Sequence, residues 1–161
     1  ATMHNYFLGA KLVRGAYMEK ERDHAEEMDY ASPIFPDKQS TDKAFNEALS
    51  FCIDHKQRIS IMCGSHNEYS NYYLTVLMEK HSMNNNDERV WFSQLLGMSD
   101  NISFNLAGAG YNVAKYVPYG PVRSVMPYLF RRAEENTSVA GQSSRELTLI
   151  RKEIRRRKQS S

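Results

Sequence analysis

Between Tyr128 and Glu135 the chain reads Tyr-Leu-Phe-Arg-Arg-Ala-Glu-Glu. On a helix, this spacing brings Tyr128, Arg131, Arg132 and Glu135 to one side. A phenol, two adjacent guanidiniums and a carboxylate on one face make a receptor for a small carboxylate. Arginine offers a planar fork of donors that such a ligand meets bidentately. A solvated helix with local ion pairs carries the same pattern, so the surrounding elements have to decide.

A second candidate is Ser65-His66-Asn67, which follows a short apolar run and precedes a helical stretch. Where a strand end meets a helix N-terminus, backbone N–H groups and the helix dipole attract an anion. A hydrogen-bonded structural histidine accounts for His66 equally well. Gly108-Ala109-Gly110 lacks a third glycine and opens no helix, so it reads as a helix end and not as a dinucleotide loop. The sequence shows no P-loop, no Ser-His-Asp or Cys-His arrangement, and no metal-ligand spacing. No metal is expected.

The elements that must carry these groups follow from the patterning. Ala10 to Tyr17 reads as a strand broken at Gly15, and Glu19 to Tyr30 as a charged helix ended by Ser32-Pro33 and Phe35-Pro36. Thr41 is the expected N-cap of a helix from Asp42 to about Lys56, with Phe45, Leu49, Cys52 and Ile53 on its buried face. Arg58–Cys63 is a second strand. Glu68–His81 is a helix with Tyr72, Tyr73, Val76 and Leu77 as its expected core face. Val90–Leu95 is a third strand, and Asp100 is expected to cap a short helix ending near Gly108. Ala114–Pro118 is a fourth strand before the Tyr128 helix, in which Pro127 either marks a late start near Val125 or a kink. A last helix, 144–158, carries Arg151, Lys152, Arg155, Arg156, Arg157 and Lys158.

Strand and helix thus alternate four times, the signature of βα units and a parallel sheet. Four units make either a small doubly wound domain or half of an eight-fold βα barrel. In a barrel the chemistry sits at the C-terminal ends of the strands. Gly15-Ala16-Tyr17, Ser65-His66-Asn67, Gln94 to Gly97 and Tyr116 all fall at such ends.

Composition bounds the rest. At 161 residues the chain is about one domain, long enough to bury a core. Its net charge of +2 predicts no nucleic-acid partner. The two cysteines, Cys52 and Cys63, stand apart from any CxxC pattern, which argues against a disulfide framework and fits a reducing compartment. No apolar run spans a bilayer and no signal-peptide pattern is seen, so the sequons at Asn101 and Asn136 are taken as chance. The C-terminal basic run reads first as a solvated helix face, then as a surface for an anionic membrane. Few aromatics interleave with it, which disfavours single-stranded nucleic acid.

Five segments in order, Lys-Leu-Val-Arg-Gly-Ala-Tyr (11–17), Ser-His-Asn (65–67), Gln-Leu-Leu-Gly-Met (94–98), Lys-Tyr-Val-Pro-Tyr-Gly-Pro (115–121) and Tyr128 to Asn136, resemble the proline dehydrogenase family. The likeness covers about residues 8–158 and is nearer to the single-function enzymes than to the bifunctional ones. It implies an α/β fold, a distorted (βα)8 TIM-like barrel, of which residues 1–161 would be the C-terminal half with its basic helix at 144–158.

It also implies FAD-dependent oxidation of L-proline to Δ1-pyrroline-5-carboxylate, with electrons passed to a membrane quinone. Position by position, Arg131 and Arg132 would clamp the proline carboxylate and Glu135 would orient them. Tyr128, Tyr116 and Tyr17 would wall the ring, with Ala16 and Leu96 packed against it. Lys11 would lie near the reactive flavin nitrogen. Arg14, Gly15, Thr41, His66, Asn67 and Gln94 would line the flavin or its phosphates.

The family's first four strands have no counterpart here, so the N-terminal half of the barrel is an expected partner. The expected location is peripheral to a membrane, on the bacterial cytoplasmic face or the matrix side of the mitochondrial inner membrane. A non-catalytic half-barrel, binding a membrane or an acidic partner through its basic end, is the alternative. A barrel enzyme holding a phosphate substrate at Ser65-His66-Asn67 is a third reading.

Overall fold

The computed structural model describes residues 1, 3–15, 17–138 and 140–159, without the side chains of residues 131, 133–138 and 140–146. Among the described residues the order is β1 (Leu8–Leu12), α1 (Met18–Glu27), α2 (Lys38–Asp54), β2 (Ile59–Gly64), α3 (Glu68–Lys80), β3 (Val90–Leu95), α4 (Asp100–Gly108), β4 (Val113–Tyr116), α5 (Val122–Ser138) and α6 (Ala140–Gln159). The chain divides into two compact units, Ala1–Tyr116 and Val117–Ser161.

In the first unit the four strands form one parallel sheet in the order β1-β2-β3-β4. That order decides between the two expected architectures. A doubly wound sheet reverses direction at a switch point, whereas a barrel adds each strand beside the last. Here the order never reverses.

The core sits on one face. Ile61 and Cys63 of β2 and Val90 and Phe92 of β3 point to the side where α2 contributes Phe45, Leu49, Cys52 and Ile53. Leu74, Leu77 and Met78 of α3 and Ile102 and Leu106 of α4 close the same cluster. Alternation along the strands puts Lys11, Met62, Trp91, Leu95 and Tyr116 on the opposite face. Trp91 is accordingly 38% exposed beside a fully buried Phe92.

That second face is concave. The Lys11 ammonium lies 5.4 Å from the centroid of the Tyr116 ring, although the two residues sit on opposite edge strands. Three strand spacings of about 4.8 Å separate those edges in a flat sheet. Lys11 aligns with Trp91 while Tyr116 aligns with Leu95, four positions further on, a separation that side chains span only if the sheet curls around this face. The Lys11 stem runs over Gly64, where a Cβ would come within 3.1 Å of Lys11 Cε.

Several expectations need correction. β1 ends at Leu12, and Val13, Arg14 and Gly15 form a loop beyond it. The N-cap of α2 is Asp37, whose carboxylate accepts from Ser40 N–H at 2.6 Å, while Thr41 lies inside the first turn and donates to Asp37 O. Asp37 takes the cap because α2 starts at Lys38, four residues before the expected start at Asp42. Tyr72 and Val76 are exposed, and Leu74 and Met78 take the core positions, with Leu77 as expected. Asp100 is the first residue of α4 and Ser99 precedes it in a left-handed conformation at φ 52°. α5 starts at Val122 and keeps Pro127 inside, so one N–H is missing from its ladder.

Candidate active site

Three of the four strands end in a loop that carries polar or glycine residues. After β1 come Arg14 and Gly15, the latter at φ +22°, a backbone angle that suits glycine. After β2 come Ser65, His66 and Asn67; after β3, Leu96 to Ser99, with Gly97 at φ 77°. β4 ends on Tyr116 itself.

Arg14 is the hub of the first two ends. Its Nε donates to Asp42 Oδ1 at 2.6 Å, and its two terminal nitrogens donate to Ser65 Oγ at 2.8 Å and Ser70 Oγ at 2.7 Å. The guanidinium carbon stands 4.1 Å from the centroid of the Phe45 ring, a cation–π arrangement. Asp42 is held further by Lys38. Burial pushes the Asp42 carboxyl up, but hydrogen bonds from Lys38 and Arg14, and both positive charges, bring it below its ordinary 3.8. Nearby, Cys63 is fully buried, and that burial pushes its thiol up to about 12 against a small downward pull from Arg14.

The corner at 65–67 is bound from several sides. Ser65 Oγ also accepts from Asn67 N–H at 3.1 Å. Asn67 caps α3 by accepting from Ser70 N–H at 3.0 Å. Asn71 donates to the carbonyls of Ser65 and Asn67. Gln94, 2% exposed, donates to Ser65 O and Asn71 Oδ1 and accepts from Ser103 Oγ. His66 Nδ1 lies 2.9 Å from Ser99 Oγ, which ties the corner to the loop after β3. Lys115 locks that loop by donating to Met98 O and Asp100 Oδ1, both at 2.7 Å.

The first unit therefore brings together Lys11, Arg14, His66, Asn67, Gln94 and Tyr116 at one end of its sheet. Thr41 is in the first turn of α2, one residue before Asp42. Tyr17 and Leu96 are half exposed or more, at 51% and 60%. Ala16 lies outside the described residues. In the second unit, Tyr128 and Arg132 are one turn apart on α5, with the Arg132 guanidinium carbon 5.6 Å from the Tyr128 ring centroid. The side chains of Arg131 and Glu135 lie outside the described residues.

Asp42, Ser70, Ser99 and Lys115 escaped the sequence reading. Arg14 meets Asp42 and Ser70 across 28 and 56 residues of chain, and no local spacing links positions so distant. Lys115 stood in a recognised segment, but its target is a loop carbonyl that only the fold supplies.

A family model described as proline dehydrogenase matches residues 1–145. The chain belongs to the proline dehydrogenase family. It is 44% identical over 160 residues to the human protein named proline dehydrogenase 1, mitochondrial, covering 98% of this chain and 27% of that one. The Drosophila melanogaster protein of the same name is 42% identical, covering 98% and 24%. A Xenopus laevis hydroxyproline dehydrogenase is also 42% identical, covering 92% and 33%.

A solved structure of proline utilization A from Bdellovibrio bacteriovorus, inactivated by N-propargylglycine, superposes with a TM-score of 0.74 at 28% identity, covering 83% of this chain and 14% of that one. The chain thus spans about a quarter to a third of the length of these curated relatives. Proline dehydrogenase family membership and the unreversed parallel sheet agree on a partial (βα)8-type barrel.

Proposed function

We propose that this chain supplies the substrate clamp and part of the flavin cradle of an enzyme that oxidises L-proline to Δ1-pyrroline-5-carboxylate. The observation that carries the reading is the convergence of Lys11, the 65–67 corner and Tyr116 at the C-terminal end of one curled parallel sheet, in a chain of this family. The donor set fits a flavin dinucleotide: a helix N-terminus suits a diphosphate, and a cation beside an aromatic wall suits a planar ring.

The chemistry FAD supplies when bound is acceptance of a hydride from C5 of proline, the electron pair then passing to a quinone. The amine nitrogen loses its proton to solvent as the C5–N double bond forms. The protein's own work is placement. On the family resemblance, Arg131 and Arg132 would hold the carboxylate bidentately, and Glu135 would align the pair. On the same resemblance, Tyr128, Tyr116 and Tyr17, with Ala16 and Leu96, would enclose the ring and exclude water. With FAD bound, Lys11 would approach its reactive edge, and Gly15, Thr41, His66, Asn67 and Gln94 would line it.

Residues 1–161 form the C-terminal half of the barrel, and strands from the rest of the protein pair with the edges of β1 and β4. The protein works at a membrane surface, on the matrix side of the inner membrane in mitochondria or the cytoplasmic face in bacteria. Half-exposed Leu147, Ile150 and Ile154 share one stripe of α6, flanked by Arg151, Arg157 and Lys158, a pattern suited to an anionic bilayer surface.

The test is the visible spectrum of the full-length protein with FAD. L-Proline should bleach the flavin, and a flavin that proline never reduces overturns the reading. A Xenopus relative named for hydroxyproline makes hydroxyproline the comparison substrate. If no flavin is retained and lipid binding disappears on removing residues 151–158, the non-catalytic half-barrel stands instead.

A further inference from the structure

Arginine 14 was expected among the groups that line the flavin or its phosphates. Its surroundings point elsewhere. All three guanidinium nitrogens have partners on the protein: Asp42 on α2, Ser65 at the end of β2 and Ser70 on α3. The flat face of the group rests on Phe45. A planar fork has a fixed set of donor directions, and here they fasten three elements to one loop.

The consequence runs through Ser65. Its hydroxyl oxygen accepts from Arg14 and from the Asn67 amide together. Ser70 Oγ accepts from Arg14 and donates to Asn46 Oδ1 at 2.7 Å, and its backbone N–H donates to the Asn67 side chain. The backbone of the anion-binding corner is thereby braced at Ser65, Asn67 and Ser70 through one cation. Asp42 aims that cation by accepting at its Nε.

We infer that Arg14 is a positioning residue: with Asp42 it sets the geometry of the Ser65-His66-Asn67 corner, and it acts on the flavin through that corner without binding it. This rests on the flavin-dependent reading above. It differs from direct phosphate contact in the sign of one substitution. A direct ligand loses affinity in Arg14→Lys but gains or keeps it in Asp42→Asn, because a negative charge near the phosphates disappears. A positioning pair loses affinity in both.

The experiment takes the full-length protein as wild type, R14K, D42N and the double variant. Flavin binding is measured by fluorescence quenching at several salt concentrations, and amide hydrogen exchange is measured without flavin. Each single variant should bind FAD about tenfold more weakly, the scale of one lost charge-assisted hydrogen bond. The double variant should add little to either, and the salt dependence should stay as in wild type. Exchange at the Asn67 and Ser70 amides should quicken in both single variants, while the Phe92 amide in β3, bonded to Asn112 O, keeps its rate.

Tighter or unchanged FAD binding in D42N beside weaker binding in R14K overturns the inference in favour of direct contact. Loss of thermal stability with unchanged FAD affinity overturns it in favour of a purely structural bond. If wild type takes up no FAD, the functional reading fails on its own. The exchange rates then still decide whether Arg14 braces the corner, and unchanged rates at Asn67 and Ser70 reject it.

Discussion

The two arginines of α5 carry the substrate half of the proposal, and their substitution separates binding from chemistry. Arg132→Lys keeps the charge and loses the bidentate fork, so KM for proline should rise by tenfold or more while FAD content stays level. Steady-state kinetics on the flavin-loaded protein checks this. Asp42 gives a pH signature. Its folded carboxyl lies below the ordinary 3.8. The stability it contributes is therefore complete above that value and disappears as the pH falls through the lower folded value. Urea midpoints taken from neutral pH to about pH 3 should fall less steeply in D42N than in wild type. Cys63 gives the opposite kind of expectation. A thiol pushed up to about 12 and fully buried is inert, since the thiolate is the reactive form. Alkylation of the folded protein should leave Cys63 unmodified until denaturant is added, as read by mass spectrometry.

Individual elements show why caps and loops matter more here than helix propensity. Asn67 closes the N-terminus of α3 at the candidate Ser65-His66-Asn67 corner. Asn67→Ala should cost about 1 kcal/mol of stability, and Asn67→Asp, which keeps an acceptor, should recover most of it. Differential scanning calorimetry distinguishes the two. The loop after β3 is fixed otherwise, with Gly97 and Ser99 both at positive φ and Lys115 reaching back to its carbonyl oxygen at Met98. Ser99 has a side chain where glycine is easier, and its hydroxyl faces His66. A non-glycine residue in that conformation is uncommon and tends to occur where function demands it.

For the molecule as a whole, one apolar layer holds the first unit together. Phe92 lies at its centre with no exposed surface and meets the Tyr111 ring edge-on at 5.5 Å. Phe92→Ala should cost about 3–5 kcal/mol, comparable to a large share of the stability of an ordinary domain. Chemical denaturation would show the loss as a lower midpoint. The opposite face of the sheet carries candidate site residues: Lys11 and Tyr116 meet there because the sheet curls, and among the described residues β1 and β4 are its edge strands.

Alternation of short apolar runs with 3.6-periodic stretches was enough to place four strands and the helices between them, since those periods are imposed by backbone geometry alone. Residue chemistry at the strand ends likewise marked His66, Asn67, Gln94 and Tyr116 as a group, and the ordered segments named the family. Other matters lay beyond any local pattern. Which side of α3 is buried depends on what α2 and β2 present to it, so Leu74 lies in the core and Tyr72, expected there, is exposed. Whether the sheet reverses depends on pairings between strands tens of residues apart. The family resemblance put Arg14 among the residues expected along the flavin. That its donors turn inward to Asp42, Ser65 and Ser70 was decided by tertiary structure, because a guanidinium takes the acceptors that folding brings within reach.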